Sequence, residues 1–198
     1  MGRAISTSEL TITVIFYMQT NPKDSDLVQQ AQDGQTEAFS VLVDRYRQKV
    51  FQTCMGFLHN TDDAEDLTQE IFVKAWNALK SFDGRAAFST WLYRIAVNKA
   101  INQTRRNKLR SFTGINDEVT DSGFADDDAE SKLLRSEQRA QIKSAVNRLK
   151  SNQKKAFVLF YYQELSLIEV AEILEMSPKA TESLIFRSRK KLQKLLSR

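Results

Sequence analysis

Hydrophobic residues recur at helical spacing along most of the chain, and this pattern predicts an all-α protein. From Glu37 to Leu58 the apolar positions are separated by three, four or one residues, as on a helix with one buried face. The next segment continues the pattern with an apolar stripe of Ala64, Leu67, Ile71, Ala75 and Leu79. No stretch shows the alternation and turn spacing that predict a β-sheet, and only 6 glycines and 2 prolines interrupt the helical pattern.

Polar residues before these apolar stretches predict where the first helices begin. Asp26 is a plausible N-cap for a short helix DLVQQAQ, and Thr36 for the long helix from Glu37 to Leu58. Asp62 or Asp63 can cap the helix that follows. On that third helix a second face, away from the apolar stripe, carries Asp66, Gln69, Glu70 and Val73.

The segment FSTWLYRIAVNKAINQTRR, residues 88 to 106, predicts a helix with two different faces. Asp83 and Gly84 mark a turn before it, and this loop carries Phe82, Arg85 and Phe88. Leu92, Ile95, Ala96 and the aliphatic stem of Lys99 share the apolar face. The polar face carries side-chain types that suit base edges and phosphates: Asn98, Asn102, Arg105 and Arg106.

The last 60 residues predict four helices that end in a helix-turn-helix. The second helix is expected to start at Ser151, and Ser166 with Glu169 forms a capping box for the third. Ser177 is expected to cap the final, basic helix, with Pro178 in its first position. A short helix, a tight turn and a basic helix are typical of DNA-binding domains. The expected DNA contacts are Lys179, Glu182, Ser183, Phe186 and Arg187, with Arg189 and Lys190 on phosphates.

Charge is unevenly distributed and predicts two modules that each meet a polyanion. The net charge of +4 comprises −2 over residues 25–104, +4 over 105–112, −5 over 113–135 and +7 over 136–198. The acidic segment GINDEVTDSGFADDDAES has almost no apolar periodicity, so it predicts a flexible linker. The expected domains are an N-terminal extension at 1–24, a first module at 25–110, the linker at 111–135 and a second module at 136–198.

The rare residue types argue against several function classes. A single cysteine, Cys54, excludes an internal disulfide framework, and a single histidine, His59, makes a His/Cys zinc site improbable. We expect Cys54 to be a buried, inert thiol. No metal, cofactor, small-molecule substrate or catalytic site is expected, because no carboxylate/histidine constellation is present. The apolar stretch LTITVIFYM is too short to span a bilayer, and we expect Met18 to be the natural start, with residues 1–17 a misassigned extension or a cloning remnant.

The segment DAEDLTQEIFVKAWNALKSFDGRAAFSTWLYRIAVNKAINQTRR resembles region 2 of the extracytoplasmic-function (ECF) group of bacterial sigma-70-type RNA polymerase sigma factors. The resemblance extends from about Asp26 to Lys108. SLIEVAEILEMS followed by ATESLIFRSRKKL closely resembles region 4 of the same family. The resemblance therefore implies two small helical domains, region 2 and region 4, joined by the acidic linker.

The resemblance also implies roles for particular residues. In the family the D-x-x-Q-E helix docks on the clamp helices of the polymerase β′ subunit, which implicates Asp66, Gln69, Glu70 and Val73. The loop that follows captures an unstacked base of the −10 element, which places Phe82, Arg85 and Phe88 near that pocket. The next helix follows the upstream edge of the −10 region, and this implicates Asn98 and Asn102, with Arg105 and Arg106 beyond them.

The partners implied are core RNA polymerase, through β′ and β, promoter DNA, and an anti-sigma factor, all in the cytoplasm. Region 4 of the family reads the −35 element. Many relatives have Lys-Ser-Arg where this chain has Glu182, Ser183 and Leu184. The −35 sequence that those relatives recognise therefore cannot be assigned directly to this chain. The alternatives are a helix-turn-helix activator with a sensory or dimerisation domain, which leaves the D-x-x-Q-E helix unexplained, and a nuclease, which lacks a catalytic constellation.

Overall fold

The computed structural model describes residues 22–112 and 129–197, and every regular element in these ranges is helical. The first four helices are α1 (Asp24–Gln32), α2 (Thr36–Leu58), α3 (Thr61–Ala78) and α4 (Phe88–Phe112), with a 3₁₀ turn at Leu79–Ser81 after α3. The remaining four are α5 (Ala129–Asn147), α6 (Ser151–Phe157), α7 (Leu167–Leu174) and α8 (Pro178–Leu196). The all-α prediction is confirmed.

The start of α5 differs from the linker boundary expected at residue 135. The helix begins at Ala129, and its first two turns, AESKLLRS, are mostly Ala, Glu, Lys, Leu and Arg, which are strong helix formers. The acidic segment before it and residues 1–21, including the predicted start at Met18, lie outside the described residues.

All three of the helix caps predicted in the first module are wrong. α1 begins at Asp24, with Lys23 as its N-cap, so Asp26 lies inside the helix. Asp24 is fixed there because Arg45 and the Tyr46 hydroxyl on α2 both donate to its carboxylate. The N-cap of α3 is Asn60, whose side chain accepts from the Asp63 amide at 2.8 Å. Thr36 is likewise the first residue of α2 and not its cap.

The caps predicted in the second module are confirmed. Ser166 and Glu169 form the capping box of α7: the Ser166 amide donates to the Glu169 carboxylate at 2.8 Å. Hydrogen bonds from Ser166 also hold the pKa of Glu169 below its ordinary value. Ser177 accepts from the Ala180 amide, and Pro178 occupies the first position of α8.

The helix after Ser151 departs from regular α geometry. α6 continues into a π-helical turn, Val158–Tyr162, in which the hydrogen bonds span five residues. The turn ends at Gln163, and Glu164 then adopts a left-handed conformation with φ 52°. Two apolar side chains of this turn, Val158 and Leu159, are fully buried.

The two modules pack against each other and share one hydrophobic core. α2, α3 and α4 form the main bundle of the first module. Its buried cluster includes Leu42, Phe57, Ile71 and Leu92 together with second-module residues, which are Val158, Leu159, Val170 and Ile173. A sequence with an acidic linker predicts tethered modules, but in the described chain they are in direct contact.

Candidate functional site

Four residues singled out on α3 lie together beside an open groove. Asp66, Gln69 and Glu70 are exposed, and Val73 is 61% exposed. They line the groove together with Lys74, Asn77, Ala78 and Lys99. The opposite edge of α3 carries the apolar stripe, with Ile71 and Ala75 fully buried, so the burial of that stripe determines which residues of α3 face outward. We call this surface the α3 groove.

Lys99 connects the α3 groove to α4. Its ammonium forms an ion pair with the Glu70 carboxylate, and its side chain is 28% exposed. The sequence places Lys99 on the apolar face as an aliphatic stem, and its half-buried position agrees with that. Its role as the partner of Glu70 was not predicted, because a long side chain can place its charge beyond the edge of an apolar face.

The loop before α4 holds an aromatic cluster that limits which of its residues can reach a ligand. Phe88 is only 4% exposed and packs on Tyr46, Phe82 and Trp91, with ring centroids 5.7, 6.1 and 5.7 Å away. Phe82 is half-buried, whereas the Arg85 side chain is 90% exposed. The expectation that Phe88 contacts a base is therefore corrected: its ring supports the loop from beneath.

The polar face of α4 is present as expected, and part of it is already occupied. Asn98, Asn102, Arg105 and Arg106 are all exposed and lie along one side of the helix, at positions i, i+4, i+7 and i+8. The side-chain Oδ1 of Asn98 accepts from the Lys155 ammonium of α6 at 2.6 Å. Burial, and secondarily the charge of Arg105, lowers the pKa of Lys155. Lys155 was not singled out from the sequence, because a lysine pair at a helix start carries no signal of a distant partner.

The helix-turn-helix presents the predicted recognition residues on one exposed face. The turn passes through Glu175, which caps α7 in a left-handed conformation with φ 56°. All seven predicted residues are exposed: Lys179, Glu182, Ser183, Phe186, Arg187, Arg189 and Lys190. Leu184 and Ile185 are buried on the opposite side, as the apolar pattern predicts.

Two contacts within this face organise it. The Arg187 Nε donates to the Ser183 carbonyl at 3.1 Å, and the Arg189 guanidinium lies 5.8 Å from the centre of the Phe186 ring. Phe186 is 54% exposed. An exposed aromatic ring among cationic side chains provides both phosphate contacts and an apolar contact for a thymine methyl group.

The two rare residues Cys54 and His59 are both removed from these exposed faces. Cys54 is fully buried, and burial raises the pKa of its thiol to about 11, so the expectation of an inert thiol agrees with its environment. His59 ends α2 in a left-handed conformation with φ 54°. Burial, and then the charges of Lys154 and Lys143, lowers its pKa to about 4.

Within residues 22–112 and 129–197, no group of three or more His, Cys, Asp or Glu side chains could hold a metal ion. None of the helices in the same ranges combines the length and the hydropathy that a bilayer-spanning segment needs.

Sequence comparisons match both modules. The family described as Sigma-70 region 2 matches residues 42–110, and Sigma-70, region 4 matches residues 139–192. The RNA polymerase sigma-H factor of Pseudomonas aeruginosa is 34% identical over 186 residues, covering 90% of this chain and 96% of its own length. The ECF RNA polymerase sigma factor SigW of Bacillus subtilis is 34% identical, covering 85% and 94%.

A solved structure agrees with these matches. CnrH in complex with the cytosolic domain of CnrY has a TM-score of 0.65 at 30% identity, covering 88% of this chain and 97% of that one. The sigma factor RpoE in complex with the anti-sigma factor NepR from Bartonella quintana has a TM-score of 0.57 at 23% identity, which shows a shared fold. With both regions present in order and relatives that match over nearly their whole length, the chain belongs to the ECF group of the sigma-70 family and is a promoter-directing factor of transcription initiation.

Proposed function

We propose that this chain binds core RNA polymerase through the α3 groove and promoter DNA through α4, its preceding loop and α8. One observation carries this proposal: the α3 groove and the recognition face of α8 are both exposed, and they belong to different modules of one chain. In the groove, Asp66, Gln69 and Glu70 offer acceptors and a carboxamide to the β′ clamp helices, and exposed Val73 adds an apolar contact.

At the −10 element, we assign the direct contacts to the loop and to the polar face of α4. The exposed guanidinium of Arg85 and the half-buried ring of Phe82 are placed to receive an unstacked base, with Phe88 as the support of that ring. Contacts to a single-stranded base contribute about 1–3 kcal/mol, while flipping costs a few kcal/mol. One such loop therefore favours melting of the −10 element, and the polymerase supplies the rest of the free energy that melting requires. Asn98, Asn102, Arg105 and Arg106 then hold the upstream edge.

At the −35 element, we propose that α8 enters the major groove with its N-terminal half. Lys179, Glu182, Ser183, Phe186 and Arg187 face the base edges, while Arg189 and Lys190 contact phosphates. Glu182 is the residue most able to alter sequence preference, because a carboxylate repels phosphate yet accepts from the cytosine N4 amino group. The role is recognition and not catalysis, and the chain is proposed to act in the cytoplasm with its polymerase.

We also propose that an anti-sigma factor regulates the chain. The support is the likeness to CnrH, at 30% identity, whose solved structure contains the cytosolic domain of CnrY. Such a partner would cover the surfaces described above and withhold the chain from polymerase.

The test is transcript mapping with reconstituted polymerase. Core polymerase with and without this chain is incubated with genomic DNA, and the 5′ ends of the transcripts are sequenced. We expect a new set of start sites that share one −35 and one −10 motif. Start sites unchanged by the chain would refute the proposal, whereas binding to DNA without binding to core polymerase would favour the helix-turn-helix activator.

A further inference from the structure

The first helix, α1, contacts the loop that carries Phe82 and Arg85 through one glutamine. Gln32, the last residue of α1, is half-buried, and its carboxamide Nε2 donates to the backbone carbonyls of Leu79 and Phe82 at 2.9 Å each. These acceptors lie 47 and 50 residues further along the chain. A carboxamide NH₂ group has two hydrogens and can make both bonds at once. Gln32 therefore bridges the beginning and the end of a single turn.

The bridged turn lies where α3 ends and the loop begins. α3 is followed by the 3₁₀ turn Leu79–Ser81, and Phe82 then adopts an extended conformation with φ −74° and ψ 117°. The Phe82 amide closes the turn by donating to the Leu79 carbonyl at 3.0 Å. Hydrogen bonds in 3₁₀ turns have poorer geometry than those of an α-helix, so this local bond holds the turn weakly. Gln32 adds two bonds from a second helix.

The Phe82 side chain is held by a different set of contacts from its backbone. Its ring centroid lies 5.1 Å from that of Trp91 and 6.1 Å from that of Phe88. Phe88 is buried and Phe82 is half-buried, so part of the Phe82 ring packs in the cluster and the rest is accessible to a stacking base. The direction of that accessible part depends on the position of the Phe82 backbone, which Gln32 holds.

α1 is itself a fixed support. Its buried residues Leu27, Val28 and Ala31 pack into the main hydrophobic core. At its other end, Arg45 and the Tyr46 hydroxyl of α2 donate to the carboxylate of the first helical residue. Because α1 is anchored along its length, the bonds from its last residue restrain the loop against the body of the module.

The position of Phe82 also affects Arg85. The Asp83 side chain accepts from the Arg85 amide at 3.1 Å and pairs with the Arg85 Nε at 3.2 Å. Both side chains are largely exposed, and exposed ion pairs contribute little stability by themselves. Since Asp83 directly follows Phe82, the place of the guanidinium depends on the same anchored backbone.

We propose that Gln32 is a positioning residue for the −10 element, an inference that rests on the proposed function. It holds the Phe82 backbone so that the loop is already formed when an unstacked base arrives. Gln32 acts through the loop and not by touching DNA, because both of its donor hydrogens are used within the protein. A preformed site loses less conformational entropy on binding. Loss of Gln32 should therefore weaken base capture and base choice, while the α3 groove and α8 keep their affinities.

Two substitutions remove the bridge, and each has a matched control. Gln32→Met keeps the length and helix propensity of the side chain but removes both donors. Gln32→Glu keeps the shape but places an acceptor against two carbonyl oxygens. Gln30→Met and Gln30→Glu make the same changes in composition and charge at an exposed position of the same helix.

The measurement is the affinity of core polymerase carrying each chain for labelled single-stranded DNA. The oligonucleotides carry the non-template −10 motif obtained by transcript mapping, with each position changed in turn to the other three bases. Gln32→Met should bind the preferred oligonucleotide about tenfold more weakly, as expected for the loss of two hydrogen bonds. Its base preference should fall at the position of the unstacked base, and Gln32→Glu should lose at least as much. The Gln30 variants should match the wild type, and every variant should keep its affinity for core polymerase and for a −35 duplex.

Three outcomes would overturn this inference. Wild-type affinity and preference in the Gln32→Met complex would show that the bridge does not position the loop. A parallel loss of core polymerase affinity would show that Gln32 stabilises the whole first module instead. Absence of base preference in the wild-type complex would refute the proposed −10 role of the loop together with the inference. A selective wild type with an equally selective Gln32→Met chain would leave the proposed function in place and remove only Gln32.

Tryptophan fluorescence tests the same bridge without DNA. The chain has two tryptophans, so Trp76→Phe leaves Trp91 as the reporter, and the Phe82 ring packs on Trp91 at 5.1 Å. In this background Gln32→Met should let the loop move away, which increases quenching of Trp91 by acrylamide and shifts its emission to longer wavelength. Gln30→Met should change neither quantity. Unchanged quenching in a folded Gln32→Met chain would show that Gln32 does not hold the loop.

Discussion

Region 2 and region 4 expose their functional residues in different ways. In region 4 the recognition residues all lie on one outward face of α8. In region 2 they are divided: the α3 groove is exposed, Phe88 is buried in its own module, and Asn98 accepts a hydrogen bond from Lys155 of the other module. Region 4 thus presents all of its predicted DNA contacts outward, whereas region 2 exposes Arg85 and the polar face of α4 but buries Phe88.

The largest effect should come from reversing a charge in the α3 groove. Asp66→Arg is expected to weaken core polymerase binding on the order of 100-fold, because it places a like charge against a surface that accepts a carboxylate. Glu65→Arg is the matched control: it makes the same change one residue earlier, where the side chain faces a different groove with Asp44 and Arg47. Equal binding by both variants in a titration with labelled core polymerase would remove the α3 groove from the interface.

A second effect concerns the junction between the two regions. Burial and the neighbouring charges of Lys154 and Lys143 lower the pKa of His59 from 6.5 to about 4. The unfolded chain therefore binds more protons than the folded chain between these values, and stability falls as the pH decreases from 6.5 toward 4. His59→Asn keeps a residue that tolerates the left-handed conformation and removes the titrating group.

The measurement is urea unfolding of both chains at pH 7 and pH 4.5. Between pH 7 and pH 4.5 the free energy of unfolding should fall by about 2 kcal/mol more for the wild-type chain than for the His59→Asn chain. The two chains share every other titratable group, so their difference isolates the histidine. Identical losses in the two chains would show that His59 titrates with its ordinary pKa.

Local and distant interactions explain which features could be predicted from the sequence. The capping box at Ser166 and the Ser177–Pro178 start of α8 depend on residues within one turn, and both were predicted correctly. Before α3 the run Asn60, Thr61, Asp62, Asp63 offers several capable caps. The choice of Asn60 follows from the end of α2 at His59 in a left-handed conformation, which the local sequence does not reveal.

The contact between the two modules could not be predicted from the sequence, for a different reason. Gly56 and Val158 are separated by about a hundred residues, and neither carries a signal of the other. Lys154 and Lys155 are adjacent, yet one is buried on the Phe57 carbonyl and the other reaches Asn98. Which helix face turns inward is fixed by the packing of the whole region, so a single sequence gives the helices and the exposed faces but not the contact between modules.

A third effect tests whether the exposed face of α8 in region 4 reads the bases of the −35 element. Glu182→Lys should change base preference at one position of the −35 element by about tenfold, within the 1–3 kcal/mol of a specific base contact. Gln193→Lys adds positive charge to the exposed face near the end of the same helix and should strengthen binding without changing preference. Selection from randomised promoters gives the sequence logo for each protein. A Glu182→Lys logo identical to that of the wild type would mean that Glu182 does not face a base.

The smallest effect decides whether the two regions unfold as one unit. Asn60→Ala removes a helix N-cap of region 2, and Ser166→Ala removes one of region 4. Each substitution should lower the free energy of unfolding by about 1 kcal/mol. Because one buried core contains residues of both regions, both variants should lower the midpoint of a single cooperative transition by similar amounts. Ser40→Ala, at an exposed position inside α2, should leave it nearly unchanged. Two transitions, each shifted only by the cap of its own region, would show that the contact between the two regions contributes little to stability and that they unfold as independent units.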